Sequence, residues 1–262
     1  MGAAVEMGET QIAVIMPVRN GMPLLADSIE SIRAQAYPSL EIVVVDDGST
    51  DGTLEYLEGL GSLVSKVLRT GGSGPAAARN AGIRASSAPL LAFLDADDLW
   101  EPGALRLLEA TLRDHPDAGL AQGKIRNFRV VEGQKEFFTP PYRFLNLGAC
   151  LWRRRLLESI GMLTETLRLC EDLDLLMRCW ERDIPKAEVE AVILHYRRHG
   201  GNMTRGLAGA DVGTLAAHKM RLDRIRAGQF DPKAPRRFRQ AEYLGTGPES
   251  QDLGFRNPAA GG

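Results

Sequence analysis

The chain has 262 residues, a formal net charge of −2 at pH 7, 44% hydrophobic residues and 25% charged residues. This composition is typical of a globular protein with one large domain or two small ones. The near-neutral charge argues against nucleic acid as the main partner, because domains that bind nucleic acid usually carry an excess of basic residues. No apolar run approaches the roughly 18 residues that a membrane-spanning helix needs, so none is predicted.

The cysteines and the N-terminal residues indicate the compartment. Cys150, Cys170 and Cys179 are odd in number and show no C-x-x-C spacing, which favours reduced thiols over a disulfide framework or a zinc site. Residues 1–10 carry acids and lack a basic region before an apolar stretch, so we expect a disordered leader and no signal peptide. These features together predict a cytoplasmic protein.

Strands and helices alternate along the first part of the chain. Apolar and β-branched runs predict strands at residues 11–17, 41–45, 63–68 and 90–94. Apolar residues at helical spacing predict helices at residues 24–36, 54–60 and 102–113, and a further helix from residue 75. This order predicts an α/β fold with a Rossmann-like, mainly parallel sheet and helices on both faces. In such sheets, ligands bind beyond the carboxyl ends of the strands.

The strand at residues 90–94 is followed by three acids, Asp95, Asp97 and Asp98. Like charges this close together repel one another, whereas Mg²⁺ or Mn²⁺ prefers carboxylate oxygens and completes its shell with water and phosphate oxygens. The acids therefore predict a divalent-metal site at the rim of the sheet. A solvated acidic turn before the next helix is the alternative interpretation.

The strand at residues 41–45 also ends in acids, Asp46 and Asp47, which the fold places at the same rim. The turn that follows contains Ser49, Thr50 and Asp51. Two interpretations stay open for these three residues, because their side chains either bind a ligand or accept hydrogen bonds from free N–H groups of the next helix.

A glycine-rich loop at residues 71–74 precedes a helix that begins near Pro75. A helix N-terminus attracts anions, and Arg79, one turn further on, adds a full positive charge. The loop and helix therefore predict a phosphate-binding element. Close packing of a small-residue helix on the sheet is the alternative interpretation.

The same loop satisfies the dinucleotide-binding pattern G-x-G-x-x-A through Gly72, Gly74 and Ala77. Asp95, about 20 residues further on, would then bind the ribose of NAD(P). This interpretation predicts an oxidoreductase. It leaves the acidic turn that begins at Asp46 unexplained, and we therefore keep it as the alternative function.

The second half of the chain predicts mixed strands around an irregular segment. Strands are expected at residues 119–131, 148–152 and 187–195, and helices at residues 169–180 and 211–227. Residues 131–145 are rich in glycine, proline and aromatic residues, which predicts an irregular or mobile loop of the kind that is often functional. The three arginines at residues 153–155 predict a solvated face.

Two further segments of the second half carry candidate functional groups. Glu171 and Asp172 lie in the first turn of a predicted helix, where they either complement the helix dipole or direct one carboxylate into the crevice as a base. Residues 196–204 form a basic loop in which His199 and its neighbouring arginines could meet phosphate. An exposed histidine without a ligand is the alternative.

The C-terminal part of the chain is polar and basic. Residues 228–262 are rich in proline and glycine, which predicts a disordered or loosely attached tail. Residues 219–239 hold eight basic residues against two acidic ones. A solvated coil is the plain interpretation of this excess, and a contact with a membrane surface or a partner is the alternative.

Five motifs occur in one order along the chain, and together they resemble the family 2 glycosyltransferases with the GT-A fold. They are I-M-P-V-R-N at residues 15–20, V-D-D-G-S-T-D-G-T at 45–53, G-P-A-A-A-R-N at 74–80, F-L-D-A-D-D at 93–98 and E-D-L-D at 171–174. The resemblance covers about residues 11–205. Five ordered motifs are far more specific than any one of them alone.

The resemblance implies an inverting transfer of a sugar from a nucleotide diphosphate sugar, most commonly a UDP-sugar, to an acceptor hydroxyl. It implies that Asp172 is the general base and that Asp97 and Asp95 hold Mg²⁺ or Mn²⁺. The implied nucleotide and donor site consists of Pro17, Val18, Arg19, Asn20, Asp47, Gly74, Arg79, Asp95, Ala96 and His199. Arg19 stands where many relatives carry an aromatic residue, and a guanidinium plane can also stack on a base.

The resemblance also implies how the chain is organised. Residues 11–118 would form the nucleotide-sugar-binding half, and residues 119–227 the acceptor-binding and catalytic half with a smaller mixed sheet. We expect the acceptor to be a glycan, a lipid-linked sugar or a small molecule. A peripheral contact with the inner face of the membrane, through the basic C-terminal segment, is a further expectation. A non-catalytic module that binds nucleotide sugars is a second alternative function.

Overall fold

A nine-stranded sheet forms the centre of the computed structural model, which describes residues 10–144, 146–203 and 212–245. The strands are β1 (Ile12–Val18), β2 (Leu40–Asp46), β3 (Lys66–Arg69), β4 (Leu90–Phe93), β5 (Leu99–Trp100), β6 (Leu120–Val131), β7 (Gln134–Phe137), β8 (Cys150–Arg153) and β9 (Lys186–Arg197). The helices are α1 (Leu24–Arg33), α2 (Thr53–Gly59), α3 (Pro75–Ala85), α4 (Ala104–Asp114), α5 (Arg154–Ile160), α6 (Glu171–Glu181), α7 (Val212–Arg226) and α8 (Gln240–Leu244).

The strand order β3-β2-β1-β4-β8-β6-β9-β5 joins a parallel block to a mixed part, and β7 pairs with β6. Strands β1 to β4 pair in parallel. β8 is antiparallel to both β4 and β6, whereas β9 runs parallel to β6. The predicted α/β class with a mainly parallel sheet is confirmed. The mixed strands of the second half extend the same sheet.

Parallel pairing brings the acid-bearing ends of the strands to one edge. Asp46, at the end of β2, pairs with Val18 at the end of β1, and Phe93, at the end of β4, pairs with Ile15. Because β8 is antiparallel to both of its neighbours, β6 and β9 also end at this edge. The edge is called the rim below.

Successive side chains of β1 pack against helices on opposite faces of the sheet, as the alternation of side chains along a strand requires. Val14 and Met16 belong to a core with α1 and α4. Ala13 and Ile15 belong to a second core with α3, α5 and α6. Helices therefore cover both faces, as predicted.

Residues 131–145, predicted to be irregular, include the strand β7. β6 and β7 form an antiparallel hairpin whose turn, Glu132-Gly133, has positive φ at both residues. Tyr142 and Ile125 exchange backbone hydrogen bonds of 2.7 and 3.0 Å beyond the hairpin. The glycine content therefore marks a tight turn in this segment. The strand β5, which pairs with β9, and the helix α5 were not predicted.

The arginines at residues 153–155 were predicted to form a solvated face, and for two of them this prediction is wrong. Arg153 donates to the carbonyl oxygens of Ala118 (2.9 Å) and Leu112 (2.6 Å). Arg154 donates to Ala88 O (2.6 Å). Both guanidinium groups therefore satisfy carbonyl oxygens at the ends of neighbouring elements.

The described part of the tail is packed, in contrast to the expectation of a loose attachment. Tyr243 and Leu244 of α8 are buried, with exposed fractions of 1% and 0%. Lys186 Nζ donates to Tyr243 O (2.6 Å), and Trp180 Nε1 donates to Phe238 O (2.9 Å). A few buried apolar side chains and these two hydrogen bonds hold a segment whose overall composition is polar. Residues 246–262 lie outside the described residues.

At the other end of the chain, residues 1–9 of the predicted leader also lie outside the described residues. Thr10, the first described residue, accepts a hydrogen bond from Tyr37 Oη (2.9 Å). No helix within residues 10–245, as far as these are described, combines the length and apolar character that crossing a bilayer requires.

Candidate active site

The loop after β1 is fastened to the turn after β2. The Asn20 N–H donates to Ser49 Oγ (2.9 Å), and Asn20 Oδ1 accepts from the Thr50 N–H (2.8 Å). The Met22 N–H donates to Asp51 Oδ2 (3.0 Å). These contacts favour the structural interpretation of the three turn residues, because their polar groups hold the neighbouring loop in place.

Asp47, at the rim, orders the glycine loop that precedes α3. Its carboxylate is 5% exposed. It accepts hydrogen bonds from Thr70 Oγ1 (2.5 Å) and from the N–H groups of Gly72, Ser73 and Gly74 (2.8 to 3.0 Å). Burial raises the pKa of Asp47, but the four hydrogen bonds outweigh it and bring the pKa below its ordinary value of 3.8.

This arrangement disfavours the dinucleotide-binding alternative. The N–H groups of the glycine loop, which would cradle a diphosphate, already donate to the Asp47 carboxylate. A carboxylate in that position would also repel a diphosphate. In addition, Asp95 forms an ion pair with Arg79 at the place where the alternative requires a ribose ligand.

Arg79 of α3 connects the end of β4 to the start of α6. It is 5% exposed, donates from Nη1 to Glu171 Oε1 (2.6 Å) and donates from Nη2 to Asp95 Oδ1. Burial lowers the pKa of a guanidinium, but the two carboxylates outweigh this and raise the pKa of Arg79. Its Nε is buried without a hydrogen-bond partner among the described residues. No separate role was predicted for Glu171.

Asp172 lies in the first turn of α6, next to this bridge. Its Oδ1 accepts the Leu173 N–H (2.7 Å). Burial raises the pKa of Asp172 to about 7, repulsion from Glu171 adds to this increase, and the positive charge of Arg79 opposes it. A carboxylate with a pKa near neutrality is suited to accept a proton from a hydroxyl group.

Asp97 and Asp98 lie in the turn after β4, called the acid turn below, where it meets the end of β9. His199 Nε2 lies 2.9 Å from Asp97 Oδ2, and the Gly201 N–H donates to His199 Nδ1 (3.1 Å). In the neutral imidazole the proton is therefore on Nε2. Burial and repulsion from Asp95 raise the pKa of Asp97. Burial and repulsion from Asp97 and Asp95 raise the pKa of Asp98 well above its ordinary value of 3.8.

Arg197 binds the acid turn through hydrogen bonds, a structural role that was not predicted from the sequence. It is 3% exposed and donates from Nε to Asp97 O, from Nη2 to Asp27 Oδ2 and from its backbone N–H to Asp98 Oδ1, each at 2.8 Å. It was grouped with the basic loop that could meet phosphate. The structure instead makes it the link between the acid turn, β9 and α1.

The remaining predicted donor-site residues also lie at the rim. Pro17 and Val18 form the end of β1, and Ala96 lies in the acid turn. Arg19 is exposed and lies over the glycine loop, with Nη1 3.7 Å from the position that a Cβ on Gly72 would occupy. The rim thus collects every residue predicted on β1 and after β2 and β4.

Asn80, next to Arg79 on α3, holds the segment 160–165. Its Nδ2 donates to Leu163 O (2.8 Å), and its Oδ1 accepts the Leu163 N–H (3.1 Å). From the other side, Arg178 of α6 donates to three carbonyl oxygens of the same segment, at 2.7 to 2.9 Å. The segment therefore sets the position of α3 relative to α6. Neither role was predicted from the sequence.

Asp174, two residues after Asp172, has a structural role. It is 1% exposed and accepts hydrogen bonds from Thr164 Oγ1 (2.7 Å), Arg178 Nε (2.9 Å) and Arg224 Nη1 (2.9 Å). These bonds connect α6 to α7 and to the segment 160–165.

The acids of the rim fit a cation that arrives with its ligand. Among the residues that the structure describes, no cluster of three or more His, Cys, Asp or Glu side chains could hold a metal ion. Mg²⁺ commonly binds through one or two carboxylates together with substrate phosphates. Asp97, with a pKa raised by burial and by Asp95, suits such a partial site, and Asp95, whose Oδ1 is paired with Arg79, is the neighbouring carboxylate.

Solved structures share this fold at low sequence identity. S. aureus TarS 1-349 in complex with UDP-GlcNAc superposes with a TM-score of 0.69 and 21% identity, covering 93% of this chain and 70% of that chain. The mannosyltransferase PcManGT from Pyrobaculum calidifontis, in complex with GDP-Man and Mn²⁺, gives a TM-score of 0.59 and 20% identity, covering 87% and 67%. The chain therefore has the GT-A fold.

The model of the family "Glycosyl transferase family 2" matches residues 13–163, which is more than half of the chain. The chain therefore belongs to glycosyltransferase family 2, as its motifs predicted.

Relatives with similar sequences are longer than the part they share with this chain. The succinoglycan biosynthesis protein ExoU of Rhizobium meliloti is 32% identical over an alignment of 195 residues that covers 64% of this chain and 56% of that protein. An uncharacterized protein of Sinorhizobium fredii, y4gI, is 31% identical over an alignment of 188 residues that covers 65% of this chain and 20% of that protein. The chain thus spans about half of the first relative and a fifth of the second.

Proposed function

We propose that this chain transfers a sugar from a nucleotide diphosphate sugar, with a UDP-sugar as the expected donor, to an acceptor hydroxyl with inversion at the anomeric carbon. The observation that carries the proposal is the bridge from Asp95 through Arg79 to Glu171, which sets Asp172 beside the acids of the rim. The structures of TarS with UDP-GlcNAc and of PcManGT with GDP-Man support a nucleotide-sugar donor for this fold.

The donor would lie along the rim. The nucleoside would follow the loop after β1, where the exposed guanidinium of Arg19 offers a plane for stacking. The diphosphate would lie near the acid turn, beside Arg79 and His199, which pair with Asp95 and Asp97 in this structure. On this proposal, Asp47 acts mainly through the glycine loop that it orders.

A divalent cation is part of the proposal. Mg²⁺ or Mn²⁺, held by Asp97 and Asp95, would supply Lewis-acid stabilisation of the charge that develops on the departing diphosphate. The raised pKa of Asp97, caused by burial and by Asp95, supports a cation there, because a positive charge would relieve the repulsion between the two acids. Mn²⁺ accompanies GDP-Man in the PcManGT structure.

The chemical step would use Asp172 as the general base. The acceptor oxygen attacks the anomeric carbon on the face opposite the diphosphate. The new C–O bond forms as the bond from the anomeric carbon to the diphosphate oxygen breaks, and the nucleoside diphosphate leaves with the electron pair. The acceptor proton passes to the carboxylate of Asp172, which contributes about 10²–10⁴-fold to the rate. Arg79 keeps its charge throughout.

The chain divides by role in this proposal. Residues 11–118 would bind the donor, and residues 119–227 would bind the acceptor and provide the base. A glycan or lipid-linked sugar is the favoured acceptor class. Relatives named for succinoglycan biosynthesis and, over 97 residues at 35% identity, for teichuronic acid biosynthesis in Bacillus subtilis support a saccharide acceptor.

The experiment is a thermal-shift screen of UDP-, GDP-, dTDP- and CDP-sugars with and without Mn²⁺, followed by a transfer assay with a panel of acceptors. We expect one donor to stabilise the protein more strongly with Mn²⁺ and to give a product with inverted anomeric configuration by NMR. Donor binding without transfer or slow donor hydrolysis would instead identify a binding module. NAD(H) binding that is indifferent to Mn²⁺ would identify an oxidoreductase.

A further inference from the structure

The chain turns directly after β9, beside the acid turn. Arg198, the residue after β9, still donates its N–H to Phe128 O of β6 at 2.8 Å, which continues the sheet to this point. Residues 199–202 then leave the sheet and are called the His199 turn below. The side chain of His199 joins this turn to the rim, because its Nε2 lies 2.9 Å from Asp97 Oδ2.

The side chain of Asn202 fixes the shape of the His199 turn. Its Oδ1 accepts the His199 N–H at 2.6 Å, and its Nδ2 donates to Arg197 O at 3.0 Å. The Asn202 N–H donates to His199 O at 3.4 Å. One side-chain amide thus binds both a donor and an acceptor of the backbone. An apolar side chain would make neither bond, so the conformation of the turn depends on this amide.

Gly201 orients the imidazole of His199 from a second direction. The Gly201 N–H donates to His199 Nδ1 at 3.1 Å, so the proton of the neutral ring is on Nε2, next to Asp97. A Cβ added at Gly201 would lie 3.2 Å from Cε1 and 3.3 Å from Nδ1 of the ring, which is closer than an ordinary contact. A side chain at residue 201 would therefore displace the ring from Asp97.

These contacts close a ring of hydrogen bonds on the acid turn. Asp97 O accepts from Arg197 Nε, and Arg197 O accepts from Asn202 Nδ2. The Asn202 amide binds the His199 N–H, and the His199 imidazole returns to the Asp97 carboxylate. The backbone and the carboxylate of Asp97 are therefore both held in the chain without a donor.

We propose that Asn202 and Gly201 are positioning residues of the donor site. They hold the Nε2–H of His199 on Asp97, so the carboxylate and the imidazole beside the diphosphate are in place before the donor arrives. Groups that are already ordered cost less to bind, because no side chain has to be immobilised with the ligand. The inference rests on the proposed function, since it concerns the diphosphate end of the donor.

The first measurement is the tautomer of His199 in the donor-free chain, read from the nitrogen chemical shifts of the imidazole by NMR. The chain has four histidines, so the signals of His199 are assigned by their loss in His199→Gln. We expect the Nε2–H tautomer in the parent chain. Asn202→Ala and Gly201→Ala should each give a mixture of both tautomers, because each removes one constraint on the ring.

Two matched controls make the same kinds of change far from the His199 turn. Ser65→Ala removes a side-chain oxygen that accepts the Ile42 N–H at 3.0 Å, near the starts of β2 and β3 and thus at the end of the sheet opposite the rim. Gly59→Ala adds a Cβ with nothing within 4 Å. Both should show the tautomer of the parent chain.

The second measurement is calorimetric titration of the donor in the presence of Mn²⁺. Asn202→Ala should weaken donor binding by about fivefold, the effect of about one hydrogen bond. Because Asn202 acts through His199, the double variant Asn202→Ala/His199→Gln should bind the donor no more weakly than His199→Gln alone. A residue that only stabilised the fold would not show this dependence on His199.

Several results would overturn the inference. They are a parent chain with the proton on Nδ1, parental tautomers in both Asn202→Ala and Gly201→Ala, and a double variant that loses the product of the two single fold-changes. Gly201→Ala acts on the ring directly and decides the first measurement if Asn202→Ala does not fold. Shifted tautomers in a chain whose parent binds no nucleotide sugar would count against the proposed function alone.

Discussion

At the scale of single residues, the protonation of Asp172 should control the rate of transfer. Its pKa is about 7, and a general base acts only when ionised. We predict that kcat/KM rises with pH and levels off above about pH 7, falling about tenfold for each unit below it. Asp172→Asn should lose turnover and keep donor binding, because the amide oxygen can still accept the Leu173 N–H.

Glu171→Gln is the informative control for this profile. Repulsion from Glu171 contributes to the raised pKa of Asp172. Removal of the negative charge should therefore move the rise in kcat/KM to lower pH, as measured by steady-state assays across the range. A profile without any rise from acidic to neutral pH would contradict Asp172 as the base.

The same residue makes a prediction about stability. The folded-state pKa of Asp172 lies above its ordinary value of 3.8, so the unfolded chain ionises this group more readily. The free energy of unfolding should therefore fall as the pH rises from about 4 to about 7. Above this range Asp172→Asn should be more stable than the parent chain, measured by urea denaturation at pH 8. Equal stability of both chains at pH 8 would argue against a carboxylate whose ionised form is destabilised by folding.

At the scale of elements, the junction between α3 and α6 depends on Asn80. Asn80→Ala leaves the Leu163 N–H and C=O without their side-chain partners, which should cost about 1–3 kcal/mol of unfolding free energy. Because the segment 160–165 sets α3 against α6, kcat should fall more than KM rises. Urea denaturation and steady-state kinetics measure the two effects.

Glu165→Gln separates the contribution of the two hydrogen bonds between Asn80 and the backbone of Leu163 from that of an exposed contact. Asn80 Nδ2 also donates to Glu165 Oε1 (2.9 Å), but the side chain of Glu165 has an exposed fraction of 47%. Exposed charge contacts contribute little, so this variant should stay within about 1 kcal/mol of the parent. If Asn80→Ala behaved like Glu165→Gln in both assays, the two hydrogen bonds between Asn80 and Leu163 would have no role in positioning α6.

The close approach of α3 to the sheet depends on a helical glycine. A Cβ added at Gly82 would lie 2.5 Å from Ile15 Cγ2, in contact with β1. We predict that Gly82→Ala destabilises the fold by about 1–3 kcal/mol, because the buried strand cannot move aside freely. Gly59→Ala, where nothing lies within 4 Å, is the matched control and should be neutral or slightly stabilising. Thermal unfolding of the two variants tests the difference.

The local sequence pattern predicted the strands and helices better than it predicted the contacts between them. The apolar periodicity of β1, α1 and β2 is sufficient to predict them, because residues a few positions apart determine whether a strand or a helix forms. Arg197 binds Asp97 across 100 positions, and Asn80 binds Leu163 across 83. No spacing rule reports such pairs. Arg153 was predicted to belong to a solvated face. This prediction failed for the same reason, since its carbonyl partners come from distant segments.

At the scale of the whole molecule, the sheet topology is what gathers the acids. The residues after β2 and β4 meet at the rim because parallel strands end on the same edge, and this follows from strand order alone. The sequence therefore predicted the rim correctly. The residue pattern left open whether α6 and the loop after β9 complete it, because their arrival depends on the packing of the mixed strands and of the tail on the second core. The family resemblance implied it through Asp172 and His199.

The most direct test of the rim as a site for a nucleotide diphosphate sugar is calorimetric titration of the best donor into the parent chain and into Asp97→Asn, with and without Mn²⁺. We predict that Mn²⁺ strengthens donor binding to the parent chain, that Asp97→Asn loses this Mn²⁺-dependent part, and that Asp172→Asn retains it. Mn²⁺-dependent donor binding by Asp97→Asn that is equal to that of the parent would contradict the account.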